Sequence, residues 1–142
     1  MEIEAKFVLP DREVMARLLS ASELAGFALG AADEQHYHDQ FLDTTSRKLL
    51  ATGWYLRQRD TLDGAMLTLK GSAKLEGGVH RRLEWNERLT EGHSPENPPP
   101  GELRERLAEL VGGEPLVPLV SLEQVRFFRT LSLAERIVAD LS

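Results

Sequence analysis

Four segments of the chain alternate polar and apolar residues with a period of two. In the first, Glu2, Glu4 and Lys6 alternate with apolar residues at positions 3, 5 and 7. Segments 57–59, 68–70 and 82–86 repeat the alternation with mostly cationic groups. Because side chains along a strand point to alternate faces, each segment predicts a strand with one charged face and one core face. Phe7 is expected on the core face.

The remaining periodicity predicts a mixed α and β domain. Strands are predicted over residues 2–8, 34–42, 54–60, 65–70, 79–87, 122–132 and 135–141. One helix is predicted after Pro10-Asp11, and a second helix, containing Leu103 and Leu107, ends at Gly112-Gly113. Asp63-Gly64 predicts a hairpin turn, and Thr44 is expected to cap a short helical turn. Antiparallel strands with few helices indicate the α+β class, as one domain over residues 1–142.

The charged faces suggest a ligand if the strands close into a barrel. Arg57, Arg59 and Lys70 would then line a wet, cationic interior, with Glu2 and Glu4 as an acidic patch on one wall. Guanidinium groups bind phosphate oxygens in bidentate geometry, and carboxylates are the hard ligands that Mg²⁺ or Mn²⁺ prefers. The pattern therefore predicts a metal-bound polyphosphate inside the barrel.

Composition and charge narrow the function classes. The net charge of −6 argues against general nucleic-acid binding, which relies on a broad positive surface. The chain has no cysteine, which excludes a disulfide scaffold and a thiolate metal site. No apolar run is long enough to span a membrane, and no signal peptide is evident. The expected location is the cytoplasm.

The order of these blocks resembles the CYTH, or triphosphate tunnel metalloenzyme, family. The matching blocks are Glu2-x-Glu4-x-Lys6, residues 41–44, residues 56–59, residues 67–71, residues 78–86 and Arg126. The Gly-Val-His and Arg-x-Glu-x-Asn version is most similar to the bacterial inorganic triphosphatases of the family. The resemblance implies an antiparallel β-barrel with flanking helices and hydrolysis of inorganic triphosphate to pyrophosphate and phosphate.

The resemblance also implies roles for individual residues. Glu2, Glu4 and Glu84 are expected to hold Mg²⁺ or Mn²⁺, and Glu4 and Lys6 to act at the reacting phosphate. The expected triphosphate-binding residues are Lys6, Arg57, Arg59, Lys70, Arg82 and Arg126. By contrast, Arg129 lies on the opposite strand face from Arg126 and is expected to be structural.

Several alternatives stay open from the sequence. Arg57 and Arg59 could be solvated cations on an exposed sheet face. Asp43 could bind metal or could cap the helical turn that follows it. The substrate could instead be an organic triphosphate, as for a thiamine triphosphatase or a class IV adenylate cyclase. The domain could also be a non-catalytic polyphosphate-binding module.

The chain departs from the family pattern at its C-terminus. Relatives carry a further strand with a Glu-x-Glu pair, whereas this sequence ends at Asp140-Leu141-Ser142. The fold is therefore expected to be incomplete at the C-terminus, and the fragment to be weakly active or inactive. The resemblance also implies a CHAD domain in a longer protein, because one follows in many relatives of this branch. The sheet edge left open by the missing strand could mediate oligomerisation.

Overall fold

The computed structural model describes residues 7–71, 74–76, 79–81 and 83–142, which form three helices and ten strands. The helices are α1 (Arg12–Ser20), α2 (Lys48–Ala51) and α3 (Glu102–Val111). The strands are β1 (Glu23–Leu24), β2 (Phe27–Leu29), β3 (Asp33–Thr44), β4 (Trp54–Thr61), β5 (Gly64–Gly71), β6 (Lys74–Glu76), β7 (Val79–Arg81), β8 (Glu84–Leu89), β9 (Leu116–Leu133) and β10 (Arg136–Leu141). The chain divides into two compact units: residues 36–124, and residues 1–35 with 125–142.

The sheet of the 36–124 unit has the order β9-β3-β4-β5-β8. Strands β3 and β4, β4 and β5, and β5 and β8 pair antiparallel. The β4–β5 hairpin turns at Leu62-Asp63, and Gly64 adopts a φ of +121°, which favours glycine. The predicted hairpin is therefore confirmed, with its turn one residue earlier than Asp63-Gly64, because Gly64 pairs with Thr61.

The core of this unit lies on one face of the sheet. Leu42, Leu56, Leu67 and Leu69 point to the same face and pack with leucines of α2, α3 and the start of β9. Alternate residues on these strands must then point to the other face. None of the helices in the described part of the chain is long and apolar enough to cross a membrane.

The other unit contains α1, the β1–β2 hairpin, the end of β9 and β10. Asp11 caps α1 by accepting a hydrogen bond from the Val14 amide at 2.9 Å. Strands β2 and β10 both pair antiparallel with β9, through residues 131–132 and 129–133 respectively. The apolar stripe of α1 is half-buried, and none of its residues is fully buried.

The α+β class predicted from the sequence is confirmed, as are most predicted elements. Residues 79–87 form two strands, β7 and β8, instead of one. The prediction that Phe7 enters a core is wrong: the side chain is 85% exposed. Residues 7–9 lie outside the strands and lead into α1, so the alternation of a strand does not apply to Phe7.

Candidate functional site

The face of the sheet opposite the leucine core carries three of the predicted cations, Arg57, Arg59 and Lys70. In the strand register, Arg57 lies opposite Thr68, and Thr68 lies opposite Asn86. Lys70 lies opposite Glu84 on β8. Residues directly opposite one another in an antiparallel pair point to the same face. We call this surface the polar face, defined by Asp39, Arg57, Arg59, Thr68, Lys70, Glu84 and Asn86.

Lys70 and Glu84 form an ion pair on the polar face. The Lys70 Nζ lies 2.5 Å from the Glu84 Oε2, and the Asn86 amide donates to the Glu84 Oε1 at 3.1 Å. Partial burial raises the pKa of Glu84, but the hydrogen bonds from Lys70 and Asn86 and the charges of Lys70 and Arg57 outweigh that effect. The pKa of Glu84 is therefore below its ordinary value, and the carboxylate is ionised at neutral pH.

Arg57 belongs to the same network of polar groups. The Arg57 Nη2 lies 3.5 Å from the hydroxyl of Thr68, which is buried and donates to the Asn86 Oδ1 at 2.7 Å. Since Asn86 also donates to Glu84, a continuous chain of hydrogen bonds joins β4, β5 and β8. Arg57, Lys70 and Glu84 are thus held at defined positions instead of extending freely into solvent.

Arg59 is fixed by an acidic partner on β3. The Arg59 Nε donates to the Asp39 Oδ1 and the Arg59 Nη2 donates to the Asp39 Oδ2, each at 2.6 Å. The guanidinium carbon also lies 4.1 Å from the centre of the Tyr37 ring. The hydrogen bond to Asp39 raises the pKa of Arg59 above its ordinary value, against the opposing effect of burial. Arg59 is not a solvated surface cation: only 14% of its side chain is exposed.

Asp39 and Gln124 support Arg59 and were not predicted from the sequence. Asp39 is fully buried, and its Oδ2 accepts a further hydrogen bond from the Gln124 amide at 2.9 Å. The available signal was the two-residue spacing that puts Asp39 on the same face of a predicted strand as Tyr37 and Phe41. Asp39 also lies directly opposite Arg59 in the β3–β4 register. A cross-strand pair of this kind depends on register, which the sequence alone did not specify.

The other predicted site residues are distributed differently. Glu2, Glu4, Lys6 and Arg82 lie outside the described residues. Arg126 lies on β9 in the other compact unit. The structure therefore brings together Arg57, Arg59, Lys70 and Glu84 on one face. The roles assigned to these four residues and to the remaining five stay predictions.

The described residues form no complete set of metal ligands. In residues 7–71, 74–76, 79–81 and 83–142, no group of three His, Cys, Asp or Glu side chains is arranged to hold a metal ion. Glu84 offers one ionised carboxylate, whose two oxygens are engaged by Lys70 and Asn86. A carboxylate of this kind fits Mg²⁺ or Mn²⁺ as one ligand, provided that further carboxylates join it.

Asp43 acts as a helix cap. The Asp43 Oδ1 accepts hydrogen bonds from the amides of Thr44 and Leu49 at 2.7 and 3.0 Å. The Oδ2 accepts from the Leu50 amide at 3.1 Å, and the side chain is almost completely buried. Both oxygens are thus committed to backbone donors at the start of α2. Thr44 adds a cap of its own, because its hydroxyl accepts from the Lys48 amide at 3.1 Å.

Arg129 is structural, as the sequence predicted. Its guanidinium donates to the Gly30 carbonyl and the Leu18 carbonyl, each at 2.7 Å, and to the Leu19 carbonyl at 3.2 Å. Two of these acceptors are at the C-terminal end of α1, where carbonyls lack partners within the helix. Arg129 therefore ties α1 to the end of β2 and β9.

Comparison with known families agrees with this architecture. The model of the CYTH domain family matches residues 1–139. The chain belongs to the CYTH family. No curated protein matches the chain. The family membership confirms the resemblance that the sequence blocks indicated.

Two solved structures share the CYTH fold with the chain. One is HpAC1 from Hippeastrum, described as a candidate adenylyl cyclase with a dominant triphosphatase activity, at 20% identity and a TM-score of 0.55. The other is a candidate adenylate cyclase from Bacillus halodurans, at 17% identity and a TM-score of 0.57. Each match covers 87% of this chain. The chain spans 61% of the first relative and 67% of the second.

Proposed function

We propose that this domain hydrolyses inorganic triphosphate to pyrophosphate and phosphate in a metal-dependent reaction. The observation that carries the proposal is the position of Arg57, Arg59 and Lys70 on the polar face of the β4–β5 hairpin. Three neighbouring cations on one sheet face suit a linear anion with several phosphate groups. A single phosphate or carboxylate would not need so many.

The described cations would hold the substrate by complementary means. Arg57 and Arg59 offer planar N–H donors for pairs of phosphate oxygens, whereas Lys70 offers a compact point charge. Arg82 and Arg126 are proposed to extend this clamp, and Lys6 to contact the phosphate that is released. Glu4 is proposed to orient the attacking water. Fixed positions matter because phosphoryl transfer depends mainly on alignment and charge stabilisation.

Glu2, Glu4 and Glu84 are the proposed ligands of Mg²⁺ or Mn²⁺. When bound, the metal would neutralise charge on the phosphate oxygens. Glu84 supports this proposal in part, since it is ionised at neutral pH and lies beside Lys70 on the polar face. Turnover in Mg²⁺, in Mn²⁺ and after chelation would identify the metal.

An organic triphosphate is the second candidate substrate. The two structural relatives are both described as candidate adenylyl or adenylate cyclases, and one of them as having a dominant triphosphatase activity. ATP therefore has a specific observation in its favour. Thiamine triphosphate is the third substrate to compare, because it shares the triphosphate and differs in its organic part.

A phosphate-release assay with all three substrates tests the proposal. We expect inorganic triphosphate to be hydrolysed with the highest kcat/KM, and expect chelation to remove the activity. A higher kcat/KM for ATP or thiamine triphosphate would overturn the substrate assignment. Triphosphate binding by calorimetry without phosphate release would identify a polyphosphate-binding module instead of an enzyme.

The proposal also covers the cellular location and the partners of the domain. A reaction on small, metal-complexed anions fits the cytoplasm, and the net charge of −6 disfavours nucleic acid as a competing ligand. The family pattern adds a CHAD domain and a partner strand at the sheet edge as proposed associations. Gel filtration at several protein concentrations would test the edge-mediated oligomer.

A further inference from the structure

Two neighbours hold the guanidinium of Arg59: Asp39 binds one edge of it, and Tyr37 covers one face. Asp39 accepts hydrogen bonds from the Nε and from the Nη2, and the Tyr37 ring covers the plane at 4.1 Å. An arginine carries five N–H donors, and a carboxylate on the Nε side leaves the Nη1–Nη2 end available for a second pair of acceptors. Both hydrogen bonds to Asp39 come from the Nε and the Nη2 of Arg59, and neither comes from the Nη1.

Asp39 is itself held in place. Its side chain is fully buried, and Gln124 on β9 donates to the same Oδ2 that accepts from Arg59. A buried carboxylate with a doubly hydrogen-bonded arginine has little freedom to turn. The direction in which the Nη1–Nη2 end of Arg59 points is therefore determined by Asp39.

We propose that Asp39 is a positioning residue for triphosphate binding, acting through Arg59. Asp39 fixes the guanidinium so that its Nη1–Nη2 edge can donate to two phosphate oxygens without reorganisation. This inference rests on the proposed function, because it requires that Arg59 bind a phosphate. According to this proposal, Asp39 strengthens triphosphate binding. Coulomb repulsion alone predicts the opposite, because a carboxylate close to an anion site would weaken binding.

Positioning and Coulomb repulsion predict opposite changes in triphosphate affinity when the charge of Asp39 is removed, so a substitution at Asp39 can distinguish them. Asp39→Asn removes the negative charge and keeps the side-chain volume. We expect the variant to bind a triphosphate analogue with imido bridges, in the presence of Mg²⁺, about tenfold more weakly, the loss of roughly one charge-assisted hydrogen bond. Calorimetry at constant ionic strength would measure the affinity, because the analogue is not hydrolysed. Equal or tighter binding by the variant would overturn the positioning role.

Asp60→Asn is the matched control. Asp60 follows Arg59 on β4 and therefore points to the opposite face of the sheet. Its Oδ2 lies 3.2 Å from the Nδ1 of His38. The substitution makes the same chemical change on β4, the strand that carries Arg59, without altering a residue of the polar face. We expect its affinity for the analogue to equal that of the wild type, and a tenfold loss here would show that the affinity responds to any strand charge.

A double-mutant cycle separates positioning from a general structural effect. If Asp39 acts through Arg59, adding Asp39→Asn to Arg59→Gln should cause little further loss of affinity. Penalties that multiply in the double variant would contradict the proposal. If Asp39→Asn does not fold, Gln124→Leu provides the test, with an expected loss of about threefold through the weakened Asp39 support.

The wild type distinguishes the two levels of inference. If the wild type does not bind the analogue, the proposed function fails, and the positioning role fails with it. If the wild type binds and Asp39→Asn binds equally well, only the positioning role fails. The Arg59 Nε–H resonance gives an independent measurement: we expect slow hydrogen exchange in the wild type and faster exchange in Asp39→Asn.

Discussion

Glu84 shows how the polar face balances charge at a single residue. Burial disfavours its ionised form, yet hydrogen bonds from Lys70 and Asn86 lower its pKa below the ordinary value of 4.5. A group with a lowered folded-state pKa stabilises the protein above its unfolded-state pKa and loses that contribution as the pH falls through the folded-state pKa. The Lys70–Glu84 pair should therefore be fully formed at neutral pH.

Replacing Glu84 with Gln tests this pH dependence. At pH 7 and with metal chelated, we expect Glu84→Gln to lower the free energy of unfolding by less than about 1 kcal/mol, because the pair is partly exposed and screened. The difference between variant and wild type should shrink below pH 4.5 as Glu84 is protonated. Urea unfolding at pH 7 and pH 3.5 would measure it, and a difference that grows at low pH would contradict the sign.

Glu4 is the residue on which metal dependence is most directly tested. We expect Glu4→Gln to lower metal-dependent triphosphate turnover by at least about 100-fold, since a neutral amide is a poor ligand for a hard cation. Phosphate release in Mg²⁺ and Mn²⁺ would measure the loss. Glu109→Gln, an exposed change on α3, is the control. A normal rate for Glu4→Gln would count against metal ligation.

At the scale of single elements, α2 depends on one buried carboxylate. This helix has four residues, too few to be stable alone. Asp43 accepts from the amides of Leu49 and Leu50 in the helix and from the amide of Thr44 at the end of β3. We expect Asp43→Ala to lower the free energy of unfolding by about 2–3 kcal/mol, because two buried donors and one partly buried donor lose their acceptor. Chemical denaturation would measure the change.

Asp11→Ala provides the comparison for Asp43→Ala. Asp11 caps α1 through one exposed hydrogen bond, so its loss should lower the free energy of unfolding by about 1 kcal/mol. Both effects should be the same with and without chelator, since neither carboxylate is proposed to hold metal. A larger effect of Asp43→Ala in Mg²⁺ than in chelator would revive the metal-binding alternative for Asp43.

The elements that the sequence predicted are those with strong local signals. Strands β4 and β5 combine a regular alternation with Asp63-Gly64, and α3 ends at Gly112, whose φ of +59° is typical of a C-terminal glycine. The β1–β2 hairpin was missed because its strands have two and three residues and its turn is Ala25-Gly26. The early start of β9 was missed because Pro118 disfavours a strand.

The candidate site was predictable to a similar degree, for a different reason. Alternation alone placed Arg57, Arg59 and Lys70 on one face of the sheet, because the period of two is a property of each strand. The partner of Arg59 was not predictable, since the Asp39–Arg59 contact depends on how β3 and β4 align. Residues far apart in sequence, such as Asp39 and Gln124, meet only through the tertiary structure.

At the scale of the whole molecule, the two tryptophans report on one unit only. Trp54 and Trp85 both belong to the 36–124 unit, and their rings stack with centres 5.6 Å apart. The chain contains no other tryptophan. Tryptophan fluorescence therefore reports on the unfolding of the 36–124 unit. Unfolding of α1 and the β1–β2 hairpin has to be followed by another method.

Arg129 allows the stability of the other unit to be changed selectively. All its hydrogen bonds described above go to carbonyls of residues 18–30, within that unit. We expect Arg129→Leu to lower local stability there by about 2 kcal/mol, because the carbonyls lose a charged donor. Hydrogen exchange should therefore accelerate in residues 12–30 and 125–142 far more than in β4 and β5.

Arg136→Leu is the control for Arg129→Leu, because Arg136 is an exposed residue of β10 in the same unit. Its exchange pattern should match that of the wild type. If Arg129→Leu accelerates exchange equally in β4 and β5 and shifts the fluorescence transition, the units unfold as one cooperative body. In that case a substitution in α1 would change the fraction of folded protein and so affect the polar face indirectly. The turnover of α1 variants would then have to be compared under conditions where the same fraction of each protein is folded.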